Sequence, residues 1–210
     1  MKGILISFEG IEGTGKTIQS KLLCEYLLKK GHNAILTEEP GGTQIGHKIR
    51  ELLLSIEHKG MTPLTELLLY NASRAQHIKE IIVPAMNKGA VVITDRFADS
   101  TVAYQGYARG IDLNLIDSIE KIVTSRLQPD ITILLDLDVE TGLKRNRGIN
   151  KMDRLELEDV EFHKRVRSGY LEIAAKEPVR IKLIDASGSI EEVQSKIVKI
   201  ISDFLIFNPA

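Results

Sequence analysis

Short apolar runs alternate along the chain with longer stretches in which apolar positions recur every three or four residues. The runs at residues 4–8, 34–37, 90–94, 131–137 and 180–184 predict β-strands. Several are apolar at consecutive positions, as strands covered on both faces are. Helical periodicity fills the gaps. Residues 16–30 predict a helix with Ile18, Leu22, Tyr26 and Leu27 on one face and Gly31 as its stop. Thr62 followed by Pro63 reads as an N-cap with proline at the first turn, opening a long helix to residue 87 that bends near Pro84. Residues 46–54, 113–125, 139–145, 159–175 and 190–205 predict further helices, the last opened by the capping box Ser189-Ile-Glu-Glu192. No repeat, low-complexity tract or linker interrupts the alternation. It predicts an α/β fold with a five-stranded parallel sheet, in one domain over residues 1–210.

Composition narrows the partners. Lys and Arg total 28 against 29 Asp and Glu, for a formal charge of −1. That balance argues against nucleic acid or an acidic membrane as a bulk partner. A chain 43% hydrophobic and 27% charged is neither disordered nor membrane-embedded. No apolar run reaches the ~18 residues of a membrane span, and the N-terminus lacks a signal-peptide core. A cytoplasmic protein is the expectation. Cys24 stands alone, which excludes an internal disulfide, and it is expected to pack within its helix.

The most specific chemistry is Gly10-Ile-Glu-Gly-Thr-Gly-Lys-Thr17, a G-x-x-x-x-G-K-[ST] loop between a predicted strand and a predicted helix. Glycines 10, 13 and 15 let the backbone curl so that its N–H groups face a phosphate at a helix N-terminus. Gly10, Ile11, Glu12, Gly13, Thr14 and Gly15 are therefore candidate ATP contacts. Lys16 is placed to reach the β and γ phosphates, and the Thr17 hydroxyl to ligate Mg²⁺. Asn150-Lys-Met-Asp153 spells the guanine-reading N-K-x-D, but it follows a basic stretch instead of an apolar strand. Asp185-Ala-Ser-Gly188 matches D-x-x-G on the wrong side of it. A GTP-binding switch is thus the weaker alternative, and a P-loop kinase acting on another nucleotide the nearer one. Asp95-Arg96 ends the strand at 90–94, expected beside the P-loop strand, where ligands bind in open α/β sheets. An aspartate there suits Mg²⁺, and an arginine suits a second phosphate.

With these motifs in order, the chain resembles the thymidylate kinase family over nearly its whole length. The resemblance rests on Phe8-Glu-Gly-Ile-Glu-Gly-Thr-Gly-Lys-Thr17, Glu39-Pro-Gly-Gly-Thr43, Asn71-Ala-Ser-Arg-Ala-Gln76, Asp95-Arg-Phe-Ala-Asp-Ser-Thr-Val-Ala-Tyr-Gln-Gly106, Pro129-Asp130 and the basic segment 145–154. It implies phosphorylation of dTMP to dTDP by ATP with Mg²⁺, a step toward dTTP. It implies that Glu12 lies near the sugar 3′-hydroxyl and the metal, and that Asp95 shares the metal with Thr17. Arg74 would hydrogen-bond thymine O4 while Tyr70 stacks on the ring. Arg96 would clamp the acceptor phosphate, near Pro40, which follows a cis peptide in relatives. Ser100 and Thr101 would meet the base edge, Tyr104 would crowd the sugar 2′ position, and Gln105 lies in the same segment. The family is usually homodimeric. Glu38 departs from the pattern, which commonly has an arginine before Glu39-Pro40, and Arg50 is a candidate substitute.

The resemblance also implies a mobile lid at about residues 144–155 that closes over ATP. One branch of the family carries a catalytic arginine in the P-loop after the acid. Here that residue is Gly13. The lid offers Arg145, Arg147 and Arg154 instead, with Arg145 expected on adenine and Arg147 and Arg154 as the transition-state candidates. The catalytic set is then Lys16, Asp95, Arg96, Arg147 and Arg154.

Overall fold

The computed structural model describes residues 3–147 and 153–207. Five strands form one all-parallel sheet: β1 (Ile4–Glu9), β2 (Ala34–Glu38), β3 (Val91–Asp95), β4 (Ile131–Asp136) and β5 (Ile181–Asp185), in the order β2-β3-β1-β4-β5. Every expected strand is present. β3 and β5 each begin one residue later than the apolar run suggested. Ile4, Leu5, Ile6 and Phe8 of β1 are all buried, because helices cover both faces of this central strand.

The helices are α1 (Lys16–Lys29), α2 (Gln44–Leu54), α3 (Pro63–His77), α4 (Val83–Asn87), α5 (Ala98–Thr101), α6 (Leu113–Thr124), α7 (Val139–Arg147), α8 (Val160–Lys176) and α9 (Ile190–Phe207). Thr62 caps α3 by accepting from Thr65 N, with Pro63 in the first turn. The capping box of α9 closes reciprocally, Ser189 N to Glu192 and Glu192 N to Ser189 Oγ. The expected bend near Pro84 is a π-helical turn over Ile78–Ile82. Proline supplies no N–H to the preceding turn, and a widened turn absorbs the mismatch.

Two readings need correction. The buried face of α1 is Ser20, Leu23, Cys24 and Leu27, whereas Ile18 is exposed and Leu22 and Tyr26 are only partly covered. Residues that touch the sheet face and α9 set that face, so Cys24 packs as expected. The segment after Asp95, for which the sequence pattern predicts no element, is helical, with α5 running into a π-helical stretch over Val102–Ala108. Its many small and polar residues carry no amphipathic period. The strand register places Phe8, Glu38 and Asp95 level at the carboxyl end of the sheet, and there the site is built.

Candidate active site

The P-loop crosses the carboxyl end of β1 through left-handed backbone at Gly13 (φ 73°) and Gly15 (φ 89°), which glycine adopts without strain. Gly13, Thr14, Gly15, Lys16 and Thr17 line a cavity of about 770 Å³. Gly10 and Ile11 do not. Ile11 is buried among apolar residues of the core, and a Cβ at position 10 would lie 2.3 Å from the Leu135 carbonyl oxygen. Lys16 Nζ donates to Ile11 O at 2.8 Å, and burial together with the nearby Arg96 charge brings its ammonium down to about 8. Thr17 Oγ1 donates to Asp95 Oδ2 at 2.6 Å. A hydroxyl and a carboxylate, both hard oxygen donors, thus stand together at the phosphate end of the cavity.

Arg96 faces the P-loop from the end of β3. One terminal nitrogen donates to Gly10 O, Ser100 Oγ and Tyr170 Oη at 3.1–3.2 Å. The other donates to Glu12 Oε1 (3.2 Å) and Tyr104 Oη (3.1 Å). Tyr104 also donates to Glu12 Oε1. Burial would raise the Glu12 carboxyl, but His163, Arg96, Lys16 and Tyr104 together hold it well below the usual carboxylate range. One oxygen of Glu12 is therefore held by Arg96 and Tyr104, while the other lies 3.3 Å from His163 Nδ1, and Asp95 is the acid that meets Thr17. Tyr104 is at once core and cavity wall, edge-on to Phe162 and Tyr170.

Tyr70, Ser100, Thr101, Gln105 and Pro40 also line the cavity. The Glu39–Pro40 peptide is cis. Arg50 reaches the same wall from α2, donating to Pro40 O at 2.7 Å with Glu38 at 3.4 Å.

Arg74 is placed otherwise than expected. It is 2% exposed and lies behind the cavity wall. Its guanidinium donates to Glu39 Oε2 (2.7 Å), Thr101 Oγ1 (2.7 Å), Glu120 Oε1 and Phe97 O (3.0 Å). Two buried carboxylates draw it inward, so Thr101, not Arg74, presents the polar edge to the cavity.

Arg154 is likewise corrected. It is 5% exposed, with Nη2 2.6 Å from Glu66 Oε2 and Nε donating to Leu53 O at 2.9 Å. Its backbone N–H donates to Leu54 O at 3.1 Å. The side chain and main chain both seat on the carbonyl end of α2, so the carboxyl end of the expected lid is anchored. Arg145 donates to Ala186 O (3.0 Å) and Ser187 O (3.2 Å) at the mouth of the cavity, beside the amino end of α9. Arg147 ends α7, and its side chain lies outside the described residues, as do residues 148–152 of the lid and most of Asn150-Lys-Met-Asp153. Asp153 itself caps a turn, accepting from Leu155 N and Glu156 N, and Asp185 accepts from Ser187 N. Both carboxylates are turned to local backbone amides.

Sequence reasoning passed over Glu9, Glu66 and Tyr170. Glu9 sits inside the quoted motif. Glu66 and Tyr170 fall within helical periods that read as ordinary surface and core.

A P-loop on an all-parallel sheet, with an aspartate at the end of the neighbouring strand and an arginine just after it, has the architecture of a P-loop kinase. Residues 8–197 match the profile of the family described as thymidylate kinase. A thymidylate kinase of Caldanaerobacter subterraneus subsp. tengcongensis is 49% identical over 205 residues, covering 98% of each chain. One from Desulforapulum autotrophicum is 50% identical over 202 residues, covering 93% of this chain and 89% of its own. The crystal structure of thymidylate kinase from Ehrlichia chaffeensis superposes with a TM-score of 0.79 at 38% identity, covering 96% of this chain and all of that one. The chain belongs to the thymidylate kinase family. Its reaction is the phosphorylation of dTMP to dTDP.

Proposed function

We infer that the cavity seats ATP at the P-loop and dTMP against Tyr70 and Arg96, and passes the γ-phosphoryl of ATP to the dTMP phosphate, releasing ADP and dTDP. The carrying observation is one continuous cavity lined by Lys16 and Thr17 at one end and by Tyr70, Arg96 and Tyr104 at the other. Two anions must meet within it, and Lys16 and Arg96 provide the opposing charge. The acceptor phosphate is already anionic, so no strong general base is required. Catalysis is positioning and charge stabilisation.

Thr17 and Asp95 fit Mg²⁺, which takes one or two protein oxygens and completes its shell with water and phosphate. Among the described residues no group of three or more His, Cys, Asp and Glu forms a dedicated metal cage. When bound, the ion supplies neutralisation of charge on the β and γ phosphate oxygens. Tyr70 offers a ring face to the base, Thr101 and Gln105 its polar edge, and Tyr104 with Glu12 the sugar. Arg50, held by Glu38 and Pro40 O, takes the place of the arginine that the family carries before Glu39. Arg145 flanks the donor base, and with Arg154 buried, Arg147 is the lid arginine left to meet the transferring phosphoryl. Water is excluded when the lid at about residues 144–155, its carboxyl end anchored by Arg154, covers ATP on a single domain. The exposed leucines Leu64 and Leu68 of α3 and Leu113 and Leu115 of α6, two helices packed together, suit a homodimer. No helix among the described residues is long and apolar enough to cross a membrane, in keeping with a cytoplasmic enzyme.

A side-by-side assay of dTMP, dUMP, dCMP and dGMP with ATP tests the reading. dTMP should have the highest kcat/KM. Equal values for dTMP and dCMP would refute the base assignment.

A further inference from the structure

Arg96 holds a left-handed backbone (φ 72°) without being glycine. Such a conformation persists where its surroundings over-determine it. Arg96 N donates to Phe8 O at 2.9 Å, Thr94 Oγ1 donates to Arg96 O at 2.8 Å, and the next amide, Phe97 N, donates to Glu9 Oε1 at 2.7 Å. The peptide is thus pinned on both sides, and Glu9 is one of the pins.

The second oxygen of Glu9 does something different. Glu9 Oε2 accepts from Ser100 Oγ (2.6 Å) and Tyr170 Oη (2.8 Å). Each hydroxyl has one hydrogen. Whether both hydrogens go to Glu9 or one is given to the other hydroxyl 2.8 Å away, the oxygen lone pairs of both hydroxyls are left to face the Arg96 nitrogen that lies 3.1–3.2 Å from them. A neutral side chain in place of Glu9 would leave the hydroxyl hydrogens free to turn against the guanidinium.

We propose that Glu9 and Tyr170 are positioning residues that brace Arg96 for the acceptor phosphate. The brace ties β1, the β3–α5 turn and α8 to one guanidinium. It rests on the reading of Arg96 as the phosphate arginine. The electrostatics agree, since burial and the neighbouring Asp99 push the Glu9 carboxyl up to about 7 against the pull of Arg96, Ser100 and Tyr170.

The test compares dTMP with thymidine, which lacks the phosphate, by titration calorimetry. The variants are Tyr170→Phe, Glu9→Gln and Arg96→Ala, each with its melting temperature. Tyr170→Phe should weaken dTMP about tenfold and leave thymidine unchanged. Glu9→Gln should do the same or more. In the Arg96→Ala background Tyr170→Phe should have no further effect on the dTMP-to-thymidine ratio. Equal weakening of both ligands by Tyr170→Phe, or none, overturns the brace. If Arg96→Ala itself weakens both ligands equally, the underlying assignment of Arg96 fails instead. Should Tyr170→Phe not fold, the isosteric Glu9→Gln carries the same comparison.

Discussion

Replacing Arg154 by methionine separates an anchor from a catalyst. Arg154 is buried with its guanidinium on Glu66 and on the Leu53 carbonyl. Breaking a buried ion pair by removing one partner costs about 3–5 kcal/mol when the other charge is left alone. Glu66 is not left alone. It also accepts from Arg109 (3.1 and 3.2 Å) and Gln105 (2.9 Å), and although burial raises its carboxyl, these bonds and the charges of Arg109 and Arg154 hold it below its ordinary value. The residual cost is then the lost Leu53 bond, about 1 kcal/mol, plus a part of the Glu66 pairing, for about 2 kcal/mol in all. Methionine retains much of the apolar stem, so packing changes little. In a chain of this size such a loss lowers Tm by about 4–8 °C. Urea and thermal denaturation measure it, and kcat taken well below the transition should fall less than about tenfold. An unchanged Tm with kcat down a hundredfold or more would refute the anchor and return Arg154 to the phosphoryl group.

Four further outcomes are expected. Glu9 has a folded pKa near 7 against 4.5, so its ionisation weakens the fold progressively as pH rises through that window, by roughly 3 kcal/mol when complete; denaturation of Glu9→Gln across pH 5–8 should therefore show its stability gaining on the unsubstituted protein toward pH 8. Arg74→Ala strands the buried Glu39 and Glu120 carboxylates and should cost about 3 kcal/mol in urea unfolding, whereas a tenfold fall in dTMP-over-dCMP selectivity at unchanged stability would put Arg74 back on the base. Tyr104→Ala should narrow the preference for dTMP over ribothymidine monophosphate in kcat/KM, and a preference that stays intact makes the ring core alone. Arg147→Ala should lower the single-turnover rate at least about a hundredfold with the dTMP KM changed much less, the split expected when a transition-state contact is lost.

The sheet and the phosphate loop were legible because their physics is local. Buried parallel strands are apolar on both faces, and the loop must have glycine where its backbone turns left-handed. Even the neighbour of β1 could be read, since the Asp95 strand had to stand beside the P-loop for its acid to meet Thr17. The fates of Arg74 and Arg154 were not legible. An arginine on a helix or in a basic lid segment reads as a donor facing ligand or water. What turns each inward is a carboxylate far along the chain: Glu39 and Glu120 for Arg74, and Glu66 for Arg154. Only the fold brings those charges together. The helix after Asp95 escaped for a different reason. Its residues were already explained by function, and small polar side chains leave no period by which to see a helix.

The arginine missing from the P-loop follows from packing. A Cβ at position 13 would lie 2.0 Å from the Gly142 carbonyl oxygen, on a backbone already at φ 73°, and a Cβ at position 142 would lie 2.5 Å from Glu12 O. The first turns of α7 rest directly on the loop, glycine against glycine. An arginine after Glu12 would have to push α7 away, and with it Arg145, which holds the carbonyls of Ala186 and Ser187. A loop arginine and this seat for α7 are therefore alternatives. With the seat taken, the lid arginine proposed above is one that α7 carries past the contact, Arg147 at its end. Gly13, Gly142 and the lid arginine are in this sense one arrangement. Gly13→Arg in this chain should accordingly disrupt α7 without restoring the activity lost in Arg147→Ala, and recovery of activity in the double variant would show that the seat can yield.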